Sequence, residues 1–151
     1  MGLDYTLSLV SDTLPSEAVN LMADRLELKK VDEAHLVGAA MMASVKQPSR
    51  GWQEMIEEGF HFTSTLLILF RLDPNDEGYE QGLRLMLRAT QVLLERGKDA
   101  VLLFNGEHIL LQRSQGRLVL NTEYSHWTQG FRMAGEIWLP HECRPLPSPL
   151  L

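Results

Sequence analysis

The sequence predicts an α+β fold, a mostly antiparallel sheet with two amphipathic helices packed on one face, and three observations predict it. Leu3 to Val10 alternates, with Leu3, Tyr5, Leu7 and Leu9 in one phase and Asp4, Thr6 and Ser8 in the other, the period-two pattern of a half-exposed strand. Tyr79, Leu83, Met86, Leu87, Thr90, Leu93 and Leu94 recur at helical spacing, the stripe of a helix that packs on something. Ala100 to Asn121 reads as three short strands cut by two tight turns. Asn105-Gly106 is the first turn, because both central residues of a type I′ turn need positive φ. Ser114-Gln115-Gly116 is the second.

Taken in order, the opening strand runs to Val10 and Ser11–Pro15 turns the chain. Thr13 is placed to cap a helix whose first turn holds Pro15 and Glu17. Leu14, Ala18, Leu21, Met22 and Leu26 carry that helix to about Leu28. A strand is expected from about Val37 to Lys46, ended by Pro48. Ser49 to Phe60 sets Trp52, Met55 and Ile56 against Glu54, Glu57 and Glu58, which fits either a short helix or an acidic surface loop.

His61 to Leu72 is predicted as a strand, and its run Leu66–Phe70 suggests a central, covered position. The long helix then starts with Asp73 as cap and Pro74 as first residue. Its polar side is Glu80, Arg84, Arg88, Gln91 and Glu95, with Glu80 four residues before Arg84 in the favourable order. Gly97 is placed as its C-terminal cap. After Asn121 the periodicity dissolves, and residues 143–151 read as an extended proline-rich tail. No repeat or linker divides the chain, so 1–151 is expected to be a single domain.

Composition narrows the function classes. The chain has 151 residues and a formal charge of −6, a poor match to a phosphate backbone, so no nucleic-acid partner is expected. No apolar run reaches bilayer length, so no membrane insertion is expected. Cys143 is the only cysteine; it excludes an internal disulfide and fits a reducing, cytoplasmic location.

The five histidines show no paired ligand spacing, and His141 with Cys143 makes a weak metal pair, so no metal and no cofactor is expected. The serines lack a nucleophile-elbow setting, and neither glycine-rich phosphate motif occurs. No catalytic residue is therefore assigned. Acid excess is concentrated in residues 1–60, where ten acids face five bases. Glu54, Glu57 and Glu58 are its densest piece. As a plain solvated face they keep the protein soluble; as a binding patch they steer a basic partner.

Several stretches resemble the Sit immunity protein family: Gly2-Leu3-Asp4-Tyr5-Thr6-Leu7, the Phe62-Thr63 to Phe70-Arg71-Leu72-Asp73 strand, Gly82-Leu83-Arg84 with Met86-Leu87-Arg88-Ala89-Thr90, and Asp99 to Glu107. The likeness spans Gly2 to about Asn121 and is weakest from Val31 to Arg50. It implies a small bacterial protein that protects its cell from a toxin delivered by contact. The expectation is a non-enzymatic protein that occludes a cognate, basic toxin. Trp52 and Trp127 are the candidate aromatic anchors and Glu54, Glu57 and Glu58 the steering acids. Two alternatives stay open: a small enzyme or ligand-binding domain whose pocket one sequence does not show, and a homodimer joined through an exposed sheet edge.

Overall fold

Nine strands form one sheet in the order β2-β3-β4-β5-β1-β6-β7-β8-β9, in a computed structural model that describes residues 2–124 and 133–146. In chain order the elements are β1 (Leu3–Ser11), α1 (Pro15–Arg25), β2 (Lys29–Asp32), β3 (His35–Gly38), β4 (Met41–Lys46), α2 (Arg50–Phe60), β5 (Leu66–Leu72), α3 (Tyr79–Leu94), β6 (Gly97–Phe104), β7 (His108–Ser114), β8 (Arg117–Asn121), a 3₁₀ turn (Met133–Glu136) and β9 (Glu142–Arg144). Every pairing is antiparallel except β8 with β9. This is an α+β fold.

The period-two residues of β1 place its leucines on one face. Tyr5, Leu7 and Leu9 are fully buried there with Leu66, Ile68 and Phe70 of β5 and Leu102 of β6. Helices α1 and α3 cover this face through Ala18, Val19 and Met22 and through Leu83, Met86, Leu87, Leu93 and Leu94. The other face carries a smaller core of Ile56, Phe60, Phe62, Val101, Leu103, Ile109, Val119 and Leu146. Helix α2 lies on it, so the sheet is clad by two helices on one side and one on the other.

Several expectations change in detail. The single strand placed at Val37–Lys46 is two strands, β3 and β4, turned at Ala39-Ala40, where Ala40 takes φ 53°. Glycine at position 82 lets α3 approach that turn, since a Cβ there would sit 2.6 Å from the Ala39 carbonyl oxygen. The stretch 49–60 is a helix: Ser49 Oγ accepts from the Trp52 amide at 3.2 Å, and His61 closes it in the left-handed region at φ 64°. His61 therefore ends a helix, and β5 begins only at Leu66.

Asp73 does not cap α3. Its Oδ1 accepts from the Asn75 amide at 2.9 Å and Asp76 Oδ1 from the Gly78 amide at 2.7 Å, so residues 73–78 form side-chain-closed turns before the helix starts at Tyr79. Such local acceptors compete with the helical ladder. Likewise Leu14, not Thr13, is the cap residue of α1, with its amide donating to Glu17 Oε1 at 2.9 Å. Gly97 opens β6 instead of ending α3. Gln91, placed on the polar side of α3, is fully buried; its Nε2 donates to Glu136 O at 2.9 Å and its Oε1 accepts the Trp138 amide at 2.7 Å.

Leu87 is 2% exposed between α3 and the sheet. Leu87→Ala should cost about 2–5 kcal/mol of stability by lost burial and a residual cavity; denaturant unfolding checks it, and a loss under about 1 kcal/mol would contradict this packing. The β6–β7 turn holds Asn105 and Gly106 at φ 58° and 72°. Gly106→Val should lower the melting temperature, because a β-branched residue resists that region even though nothing lies within 4 Å of the new Cβ.

Candidate functional site

Helix α2 exists because its apolar residues fall on one side. Ile56 and Phe60 are buried, Trp52 is half-buried, and Glu54, Glu57 and Glu58 point to solvent. Two hydrogen bonds fasten the helix to the sheet: Trp52 Nε1 donates to Ser8 Oγ at 2.8 Å, and Gln53 Nε2 donates to the Ser64 carbonyl at 2.8 Å. Trp52 thus spends its indole on β1. Ser8, read from alternation as a solvent position, is fully buried beneath it.

The acids stand in a fixed frame. Glu54 meets Arg50 at 3.2 Å and Glu57 accepts from Thr63 Oγ1 at 3.0 Å. Together with Glu58 and His61 they line a shallow depression of about 590 Å³. The expected steering acids are therefore brought together on one rigid ledge. Trp127, the second expected anchor, lies outside the described residues.

Beside α2 no other described helix covers this face of the sheet. Its side chains run in rows set by strand register. Lys29, Val37, Met42, Arg71 and Asp4 form one row across β2, β3, β4, β5 and β1. His35, Ser44, Leu69 and Thr6 form the next, and Lys46, Leu67 and Ser8 the one after. Met42 is 57% exposed. Val37, Met42 and Arg71, with Gly2 and Asp73, line a hollow of about 420 Å³.

Charge on this half is divided. Arg71 grips Asp4 through both oxygens, Nε to Oδ1 at 2.8 Å and Nη2 to Oδ2 at 3.2 Å. The guanidinium holds the Asp4 carboxyl below its ordinary range, mainly by that hydrogen bond. His35 Nδ1 lies 2.8 Å from Asp32 Oδ1. Lys29 and Lys46 have no side-chain partner among the described residues.

Reasoning from the sequence passed over Met42, Val37 and Arg71. The signal that could have found Met42 is its phase: Met41, Ala43 and Val45 alternate inward, leaving Met42 as the apolar residue among Ser44 and Lys46. A further hollow of about 670 Å³ at the β7–β8 end is polar, with Gln112, Ser114, Arg117 and Arg144 in its wall. Among the described residues no three His, Cys, Asp or Glu side chains converge as metal ligands would, and no helix is long and apolar enough to cross a membrane.

Trp52→Phe keeps an aromatic, though smaller, ring but strands the buried Ser8 hydroxyl, so it should cost about 1–3 kcal/mol. Chemical denaturation checks this; an unchanged midpoint would mean that water replaces the indole freely. The Asp4 carboxyl is depressed in the folded state, so its contribution to stability is full above the ordinary carboxylate range and is lost as pH falls through the lowered value. Arg71→Gln should move the Asp4 titration upward, read by NMR of the side-chain carboxyl, and an unmoved midpoint would refute the pairing.

No curated protein and no solved structure matches this chain. A family model described as SitI3-like matches residues 3–131. That match takes in β1 through β8, both helices of the clad face, helix α2 and the uncovered strands beside it, and the chain belongs to the SitI3-like family.

Proposed function

We propose that this chain is an immunity protein of the bacterial cytoplasm that binds a cognate toxin and neutralises it by occlusion, without chemistry of its own. Family membership over residues 3–131 supports the role, together with the Sit-like stretches in β1, β5, α3 and β6. The observation that carries the mechanism is the ledge of Glu54, Glu57 and Glu58 on a helix pinned to the sheet by Trp52 and Gln53. A rigid, exposed, acidic ledge loses little entropy when a partner docks, and its field draws a basic surface towards it.

In this reading the acids act on the encounter, and the covered toxin surface is its active site or substrate groove. A folded protein that blocks access needs no catalytic residue, only complementarity and a few well-packed anchors. Trp52 acts here indirectly, by fixing the helix that presents the acids.

The triple change Glu54→Gln, Glu57→Gln, Glu58→Gln should leave the fold intact, because exposed charges contribute little to stability. It should slow association with a basic toxin at low salt, and the difference should shrink as salt screens the field over about 10 Å at 0.1 M. Stopped-flow or surface-plasmon on-rates at two ionic strengths, using a purified toxin against which expression of this chain protects cells, measure it. Equal on-rates at low salt would remove the acids from the mechanism. Failure of the wild type to bind that toxin, together with a small molecule that raises the melting temperature, would replace the immunity reading with a ligand-binding one.

A further inference from the structure

The uncovered strands beside α2 form a surface with the anatomy of a docking site. Its centre is apolar: Val37, Met42 and Leu69 occupy neighbouring rows on β3, β4 and β5 and are exposed or half-exposed. Val31 of edge strand β2 is 59% exposed. At one end, the hollow of about 420 Å³ between Val37, Met42 and Arg71 is open to solvent and has the volume for one side chain. Single exposed apolar residues need no explanation, but an apolar strip with a hollow and a charged rim does.

The rim is bipolar. On the strand side stand Lys29 and Lys46, both exposed and both without a side-chain partner among the described residues. Arg71 is engaged by Asp4, and the His35 ring nitrogen Nδ1 lies against Asp32. Helix α2, tied to β1 through Trp52 and Ser8, carries Glu54, Glu57 and Glu58 on its solvent side. The row of Met42 and the row of Ser8, over which Trp52 lies, are four residues apart along β1. That is about 13 Å at 3.3 Å per residue, well within the span of one protein–protein interface.

We infer that this face, from edge strand β2 across Met42 to helix α2, is where the toxin docks. The inference rests on the immunity reading and deepens it by naming the face and the chemistry of the partner. The occupant is a toxin surface with a protruding apolar side chain that enters the hollow beside Met42. Carboxylates on it meet Lys29 and Lys46, and basic groups meet the α2 acids. The hollow supplies the anchor that an acidic ledge alone lacks, because affinity in such interfaces concentrates in a few apolar side chains seated in pockets. The opposed charges on the two sides fix the orientation of the partner.

The test uses the full chain and a purified toxin against which expression of this chain protects cells. Met42→Glu places a charge at the anchor without touching the core, so circular dichroism and melting temperature should be unchanged. Toxin affinity by calorimetry should fall about thirty-fold or more, the loss expected of an anchor residue. Lys29→Glu with Lys46→Glu should weaken binding further. Leu14→Glu, at a residue 56% exposed at the start of α1, should leave affinity unchanged.

Wild-type binding that survives Met42→Glu would overturn this face and leave the immunity reading standing. An equal loss from Leu14→Glu, or tighter binding with the two lysines reversed, would overturn it too. No toxin binding by the wild type would overturn both. Sedimentation of the protein alone covers the remaining occupant: a wild-type dimer that Met42→Glu converts to monomer would assign the face to a second copy of the chain.

Discussion

The structure depends on β1 being the middle strand. It pairs with β5 on one side and β6 on the other, so the first residues of the chain join the two halves of the sheet. Tyr5, Leu7 and Leu9 are 0% exposed, and they form the floor on which α1 and α3 rest. Hydrophobic burial of that face is the dominant favourable contribution. It also sets the register of everything else, because a one-residue slip would turn these leucines to the other side.

That register has a consequence on the opposite face. With Tyr5, Leu7 and Leu9 facing the helix pair, Thr6 and Ser8 must face α2. The sheet there is too wide for one helix. Helix α2 seals Val101, Leu103, Ile109 and Val119 on the β6–β8 side, while on β2 to β5 Lys29, His35, Met42, Lys46 and Arg71 are exposed, Val37, Ser44 and Leu69 half-buried and Leu67 buried. The same helix that seals one half carries its acids on its solvent side.

Buried polar side chains complete the frame where backbone pairing stops. Asn121, 4% exposed, accepts the Leu146 amide at 2.9 Å and the Glu123 amide at 3.0 Å through Oδ1, and donates through Nδ2 to the Ile109 carbonyl at 2.7 Å. It ties β9 and the buried Leu146 to β8 and β7. Gln91 does the same between α3 and residues 136–139. Each amide satisfies backbone groups that would otherwise be buried without partners. At the edges the sheet is blunted: β2 carries Lys29 and Lys30 and a register shift, and Pro140 and Pro145 flank β9. Such edges resist addition of another strand.

Much of this was legible in the residues alone. The alternation at Leu3–Leu9, the stripe from Leu83 to Leu94 and the turn at Asn105-Gly106 each report a local period or dihedral requirement, and such requirements are carried by neighbours in sequence. Turn chemistry was less legible at Asp73 and Thr13, where adjacent side chains offered competing acceptors and only the packed geometry chose between them. What the sequence could not determine is which face of each strand stays open. Ser8 and Met42 occupy equivalent outward phases, yet Ser8 is fully buried and Met42 is more than half exposed. The difference is where α2 lands, and that is decided by the burial of Ile56 and Phe60 and the reach of Trp52 to Ser8, contacts between residues more than forty positions apart. Composition and local pattern therefore determined the α+β class and its helix-covered core. Tertiary structure alone decided that one helix covers part of the second face, and so left the strip beside it exposed.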